Sequence, residues 1–251
     1  MTIDQGTNVP RDLDGRTVVV TGAAGGIGGR VVERLHAAGA RVVAVDLHEP
    51  TAVPEGVATA AADITDADSV GALAARIGAE HEGRIDLVNA AGIVEDDVAA
   101  ADMSAEQFRG VLDVNLVGVF LTCQAFRRVM EGRGDAAIVS IASMSGSWIV
   151  NHPQKQVAYN VSKAGVVALT KTLAVEWGPS GIRVNCVSPG YVDTPLLVKK
   201  QHQFAEWMRD IVPGRFARPE EVAASIHFLL SDAASYCHGT ELLMDGGYSL
   251  R

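Results

Sequence analysis

The chain is predicted to be an α/β protein, a single doubly wound domain with a mostly parallel sheet and helices on both of its faces. Three observations predict this. Short β-branched runs alternate with longer stretches of helical periodicity from residue 17 to residue 247. The first run passes through a glycine-rich turn into a helix and then into a second run ending in an acid, a βαβ unit of about thirty residues. The composition, 48% hydrophobic over 251 residues, supports a sizeable core, and no repeat or domain boundary interrupts it.

Composition also excludes. A formal net charge of −9 argues against a nucleic-acid or anionic-membrane binder, since both need basic patches. Cys123, Cys186 and Cys237 show neither zinc-ligand spacing nor a disulfide framework, and read as small buried hydrophobes in a reducing compartment. No metal is expected. Residues 1–10 are polar and lack the charged start and apolar block of a signal peptide. No uninterrupted apolar run reaches the roughly 18 residues of a membrane span. The expectation is a cytoplasmic protein with a small-molecule substrate, no nucleic acid and no membrane.

Residues 1–15 read as a flexible leader, and residues 16–251 as the single domain. Thr17-Val18-Val19-Val20 suits a strand buried on both faces. It runs into Thr21-Gly22-Ala23-Ala24-Gly25-Gly26-Ile27-Gly28. Bare glycines here let a pyrophosphate approach the amide hydrogens at the start of the next helix, where the dipole favours negative charge. Gly22, Gly26, Ile27 and Gly28 are therefore candidates for nucleotide binding. Val31, Leu35 and Ala38 then recur at helical spacing, and residues 41–46 form a second strand. Asp46 lies eighteen positions beyond Gly28, where a carboxylate can accept hydrogen bonds from ribose hydroxyls and repel a 2′-phosphate. Leu47 follows it, and neither Ala24 nor Gly25 offers a basic partner for that phosphate, so NAD is favoured over NADP.

Further along, Thr65 or Asp66 suits the cap of a helix over 69–79. Residues 85–92 read as a buried strand ending in small residues. One long helix is expected over 104–131, opened by a Ser104/Gln107 capping box. Asn115 sits inside it with poor helix propensity, either as a buried amide satisfying a neighbour or as a functional group. Residues 136–143 form a strand that runs into a polar loop. Tyr159 and Lys163 then share one face of a helix reaching Trp177. That spacing can hold an ammonium near the phenol and lower its pKa. Another strand covers 183–190. The stretch 191–217, with Phe204, Trp207, Met208 and Phe216 among charges, reads as a substrate lid, core packing being the alternative. Pro219-Glu220-Glu221 opens a helix to Leu230, and 241–247 closes the sheet.

The spacing Thr21-Gly22-x-x-x-Gly26-Ile27-Gly28, with Tyr159-x-x-x-Lys163, resembles the short-chain dehydrogenase/reductase family, and the likeness runs in order from residue 16 to residue 248. It implies a Rossmann-type domain with a seven-stranded sheet, hydride transfer between NAD(H) and a secondary alcohol or ketone, and a homotetramer. By that resemblance Asp63, with Ile64, meets the adenine. Asn89, Ala90 and Gly92 line the cofactor, Ala90 standing where the family usually has a second Asn. Asn115 bends its helix and holds a water linked to the lysine. Ser143 polarises the substrate oxygen, with Ser145 and Ser147 as alternatives because the interval of sixteen to Tyr159 is longer than the family's commoner one. Tyr159 exchanges the proton, Lys163 binds the nicotinamide ribose, and Pro189, Val192 and Thr194 approach the nicotinamide. The polar loop 147–156 resembles that of sugar and polyol dehydrogenases within the family. Ser145, Asn151, Gln156 and Tyr191 join Ser143 and Tyr159 as the expected substrate contacts. The alternatives are an NADPH-linked ketone or 3-ketoacyl reductase and a non-catalytic NAD-binding sensor.

Overall fold

Successive valines of the first strand leave the backbone on opposite sides, and that alternation sorts the core into two layers. The computed structural model describes residues 9–198 and 200–251. Seven parallel strands form one sheet: β1 (Thr17–Thr21), β2 (Arg41–Asp46), β3 (Ala58–Ala61), β4 (Ile85–Asn89), β5 (Ala136–Ile141), β6 (Ile182–Pro189) and β7 (Glu241–Met244). Their spatial order is β3-β2-β1-β4-β5-β6-β7. The strand order therefore reverses between β1 and β4, and ligands of open parallel sheets bind at the carboxyl ends beside such a reversal.

The helices are α1 (Gly26–Ala37), α2 (Ala67–Glu80), α3 (Ala105–Leu112), α4 (Gly118–Met130), α5 (Met144–Ser147), α6 (Val157–Trp177), α7 (Pro195–Val198), α8 (Phe204–Asp210) and α9 (Pro219–Leu230). Val18 and Val20 pack in one layer with Val31 and Leu35 of α1 and Ile226 and Leu229 of α9. Val19 packs in the other with Ile77 of α2, Phe126 of α4 and Val166 and Leu173 of α6. Every residue of β1 is buried, as expected of a strand covered on both faces.

Local chemistry sets the ends of these elements. Asp66 caps α2 by accepting from the amide of Asp68. Ser104 and Gln107 form the reciprocal capping box at the start of α3. The helix expected over 104–131 is continuous but not uniform. A π-helical turn, Asp113–Val117, joins α3 to α4, and Asn115 lies in its centre, buried. By length and a mean hydropathy of 1.2, the stretch Ala105–Met130 would suffice to cross a bilayer. Here it packs Val119, Cys123, Phe126 and Met130 into the core, as the helix of an α/β domain does.

The leader is corrected over its described part. Residues 1–8 lie outside the described residues, but Leu13 is fully buried and its amide bonds the carbonyl of Ala38. Asp12 meets the ring of His227 on α9 at 2.7 Å. Apolar burial and this contact dock residues 12–14 onto the α1/α9 layer, where a loose tail was expected. At the far end of the sheet Arg183 donates to the carbonyls of Leu229, Leu230, Ser231 and Ala234 at 2.8–3.3 Å, satisfying the last turn of α9.

Candidate active site

The glycine turn, Asp46, Asn89 and Ser143 stand where strands end, and Asn115, Tyr159 and Lys163 are brought beside them on helices. After β1, Gly22 adopts φ +69°, and a Cβ there would run into the backbone of Ala90 and Ala91 after β4. A Cβ on Gly28 would strike the carbonyl of Gly22. Gly22 needs glycine because the turns after β1 and β4 cross in contact, and Gly28 because the glycine turn folds back on the start of α1. The same closeness accounts for Ala90 and Ala91, since larger groups would press on the glycine turn. The first turn of α1 has no side-chain cap, so its amides are available to an anion.

Asp46 closes β2 beside this turn. Its carboxylate accepts from the amides of Ala24 and Leu47 at 2.9 and 2.8 Å, which fixes its direction. Asp63 accepts from the amide and hydroxyl of Thr65, and those bonds hold its pKa below the ordinary value. Ile64 packs against Gly118, where an added Cβ would approach it to 2.9 Å. The Asn89 side chain turns inward, bonded to Ser140, Cys123 and Thr122, so its amide belongs to the interior beneath the site. Bare strand ends, exposed amides and a fixed acid fit a dinucleotide.

Around the end of β5 the reacting groups converge. A cleft of about 750 Å³ is lined by Ser143, Ser145, Asn151, Gln154, Gln156 and Tyr159 on its polar side. Met144, Tyr191, Val192, Leu197 and Trp207 supply the apolar side, while Ile27, Pro189 and Thr194 lie at the edge toward the glycine turn. Ser143 and Ser145 share a hydroxyl–hydroxyl bond of 2.8 Å, and Ser143 also hydrogen-bonds Tyr159. The interval of sixteen residues is absorbed by α5 and the loop 148–156, which keeps Ser143 in reach of Tyr159. Ser147 faces elsewhere, donating to Glu241.

Lys163 is buried one helical turn beyond Tyr159. Its Nζ donates to the carbonyl of Ile141 at 2.7 Å and lies 5.6 Å from the centre of the Tyr159 ring. Burial pulls the lysine down to about 8. The expected depression of Tyr159 is corrected. Burial pushes the phenol up, the Ser143 hydrogen bond opposes this, and the charge of Glu95 adds to the rise. The tyrosine of this site is thus the neutral acid.

Asn115 holds the neighbouring loop. Its amide exchanges two 2.8 Å bonds with the backbone of Ile93 and donates to Ser162 at 3.1 Å. Gly92 lies between, where a Cβ would come within 3.3 Å of Asn115 Oδ1 and 3.6 Å of Lys163 Nζ. Both donor positions of the Asn115 side chain are occupied, which leaves its Oδ1 and the main chain of the π-helical turn to hold the expected water.

Sequence reasoning missed Gln154 and Glu95, and named Trp207 only within the stretch 191–217, not as a residue of the cleft wall. Gln154 stood within the polar loop but was not singled out from its neighbours. Trp207 has a signal in the aromatic cluster of 191–217: it is fully buried and stacked on Tyr191 at 4.1 Å. The segment 191–217 is closed by the bridge between Val192 and Ala217 and joined through Lys200 to Asp97 at 2.8 Å.

A family model described as enoyl-(acyl carrier protein) reductase matches residues 22–249. The chain is 42% identical over 250 residues to galactitol 2-dehydrogenase (L-tagatose-forming) of Cereibacter sphaeroides, covering 95% of this chain and 96% of that one. It is 41% identical over 253 residues to D-threitol dehydrogenase of Mycolicibacterium smegmatis, covering 95% of each. The crystal structure of a short-chain type dehydrogenase/reductase from Mycobacterium marinum matches with a TM-score of 0.90 at 39% identity, covering 96% of this chain and 98% of that one. Fold and site define an oxidoreductase that works on CH–OH groups with a nicotinamide cofactor. The chain belongs to the short-chain dehydrogenase/reductase family.

Proposed function

We propose that this enzyme oxidises a secondary hydroxyl of a neutral polyol or sugar, reversibly, with NAD. The observation that carries this reading is the amide-lined wall of the cleft. Asn151, Gln154 and Gln156 are each less than one-tenth exposed and lie beside Tyr159. Asn151 donates to Gln156 Oε1 at 2.8 Å and to Asn160 at 3.1 Å. Among the described residues, no hydrogen bond engages Asn151 Oδ1 or Gln156 Nε2. One acceptor and one donor thus face the same space, which suits a hydroxyl that must both give and take. An acyl chain would leave them unsatisfied at a cost of about 1–3 kcal/mol each. The opposite wall, Tyr191 backed by the fully buried Trp207, suits the C–H face of a carbohydrate. Lys200, which lines the cleft, is paired with Asp97 at 2.8 Å, which favours an uncharged substrate over a hydroxy acid.

In the reduction, Ser143, oriented by Ser145, holds the carbonyl oxygen and the neutral Tyr159 gives it a proton, leaving a phenolate; in the oxidation that phenolate takes the hydroxyl proton back. A bound nicotinamide coenzyme would supply the hydride to that carbon in the reduction and the acceptor for it in the oxidation, which interconverts ketone and alcohol. Lys163 holds a positive charge near the phenolate that forms and reaches the ribose. Asn115 fixes the loop 92–95 beside them. Gly22, Gly26 and Gly28 cradle the phosphates, with Ile27 beside them. Asp46 and Leu47 take the ribose hydroxyls, Asp63 and Ile64 the adenine, and Ala90, Gly92, Pro189, Val192 and Thr194 enclose the ring end. We further propose a cytoplasmic homotetramer.

The test is coenzyme reduction across pentitols, hexitols, tetritols, hydroxy acids and 3-hydroxyacyl thioesters, with NAD and NADP compared. A neutral polyol with NAD should give the highest kcat/KM. Replacement Asp46→Asn should cost about 10- to 100-fold in kcat/KM for NAD, the worth of hydrogen bonds to a charged group. Preference for NADP, or for a charged or acylated substrate, contradicts the reading.

A further inference from the structure

The first turn of α6 carries Tyr159, and its cap comes from a distant loop. A helix start leaves amide hydrogens without intrahelical partners, and the residue before the first turn commonly supplies an acceptor. Gln156 occupies that position and makes no such bond. Its carbonyl oxygen accepts from Asn151 instead. The amides of Ala158 and Tyr159 donate to the carboxylate of Glu95, at 2.9 Å and at 3.1 Å to each oxygen. Glu95 follows Val94, a cleft-lining residue, on the loop after β4.

That loop is itself held. Ile93 is bonded through both its amide and its carbonyl to Asn115. Asn115 donates to Ser162, and Ser162 donates to the carbonyl of Tyr159 at 2.7 Å. The peptide groups on both sides of the Tyr159 Cα are therefore fixed from one source, the nitrogen by Glu95 and the carbonyl by Ser162 and Asn115. Charge-assisted bonds at a helix start are short and strong because the anion also meets the helix dipole.

We propose that Glu95 is a positioning residue for Tyr159: it caps α6 from across the cleft, fixes the main chain beneath the phenol, and leaves Gln156 to face the substrate. This inference rests on the proton-transfer role proposed for Tyr159. It accounts for the direction of the Glu95 carboxylate, which turns to the start of α6 while the nearby Asp97 pairs with Lys200. The charged and titratable groups around the phenol are Lys163 on its own helix and Glu95 from the loop after β4. The Lys200–Asp97 pair and Tyr191 lie around the cleft, and Cys186 lies beneath Lys163, its thiol pushed up to about 12. Removing the Glu95 charge leaves the phenol more acidic.

The experiment compares Glu95→Ala, Glu95→Gln and Tyr159→Phe with the parent enzyme, measuring kcat and KM for the best substrate across pH, and coenzyme binding by fluorescence titration. Glu95→Ala should lower kcat about 10- to 100-fold, the usual effect of misplacing a reacting group, with coenzyme affinity changed less than about threefold. Glu95→Gln keeps an acceptor and should recover most of kcat, while the pH at which kcat is half-maximal on the acid side moves down. Unchanged kcat in Glu95→Ala, together with an unshifted profile in Glu95→Gln, overturns the proposal even if both melt earlier. Should Glu95→Ala fail to fold, the profile of Glu95→Gln decides alone. Loss of turnover in Tyr159→Phe beside normal Glu95 variants leaves the proton-transfer reading standing without this one, whereas turnover in Tyr159→Phe overturns both.

Discussion

Two side chains at helical spacing carry little meaning until their partners are known. Tyr159 and Lys163 acquire it from Ser143 at the end of β5, from the carbonyl of Ile141 that receives the ammonium, and from the cleft that Ile141, Ser143 and Tyr159 line. The charges of the site run against the simplest expectation. Burial dominates both groups, lowering Lys163 and raising Tyr159, so proton transfer must be assisted by the bound reactants. Beside them the polar wall should discriminate hydroxyl patterns. Asn151→Ala removes an acceptor that faces the substrate and the donor that orients Gln156. We expect KM for polyols to rise about tenfold, the worth of one good hydrogen bond, while KM for a simple secondary alcohol stays near the parent value. Steady-state kinetics with the two substrate types checks this.

Among the elements, the contact of α5 with α6 sets the distance from Ser143 to Tyr159. Gly146 makes that contact possible: a Cβ there would stand 2.9 Å from the Lys163 carbon and oxygen and 3.1 Å from the Ala164 amide, all backbone atoms. Nothing there can swing aside as a flexible side chain would. Gly146→Ala should therefore force the two helices apart, lower stability by about 1–3 kcal/mol and reduce kcat more than it raises the coenzyme KM. Thermal melts with kinetics test it, and an unchanged melting temperature contradicts the packing argument. The elements were largely legible in the sequence, since β-branched runs, the Ser104/Gln107 box and Pro219 each act through local rules. The widened turn at Asn115 was legible as a poor helix former, but its partner Ile93 lies twenty-two residues away and no local rule names it. Glu95 was hidden for the same reason, because its bonds to α6 exist only once the loop after β4 meets the start of α6. The docking of Leu13 likewise depends on α1 and α9 meeting.

Over the whole molecule, function stands against stability. A buried lysine brought down to about 8 from an ordinary 10.5 binds its proton less tightly in the folded chain than in the unfolded one. Between those pH values the unfolded state holds more protons, so stability rises with pH there, and below about 8 the full penalty is present. The size is up to about 3 kcal/mol. Lys163→Met should remove this rise, so the difference in unfolding free energy between parent and variant should change across pH 8–10 in the sense that favours the parent at high pH. Denaturant titrations at several pH values measure it, and a constant difference contradicts the burial argument. The strand order placed the site before any side chain was considered, because the reversal between β1 and β4 leaves an opening at their carboxyl ends. What the cleft accepts was less legible. The loop 147–156 has no regular period, and its amides turn inward only because Tyr191, Trp207 and α6 enclose them.

The most direct test of the account is Tyr159→Phe, which removes one oxygen and keeps the ring. Coenzyme binding should stay within about threefold of the parent, since the glycine turn and Asp46 are untouched, and oxidation of the best polyol should fall by at least about 10²–10⁴-fold. Turnover near the parent rate in that variant, with the coenzyme bound normally, would contradict it.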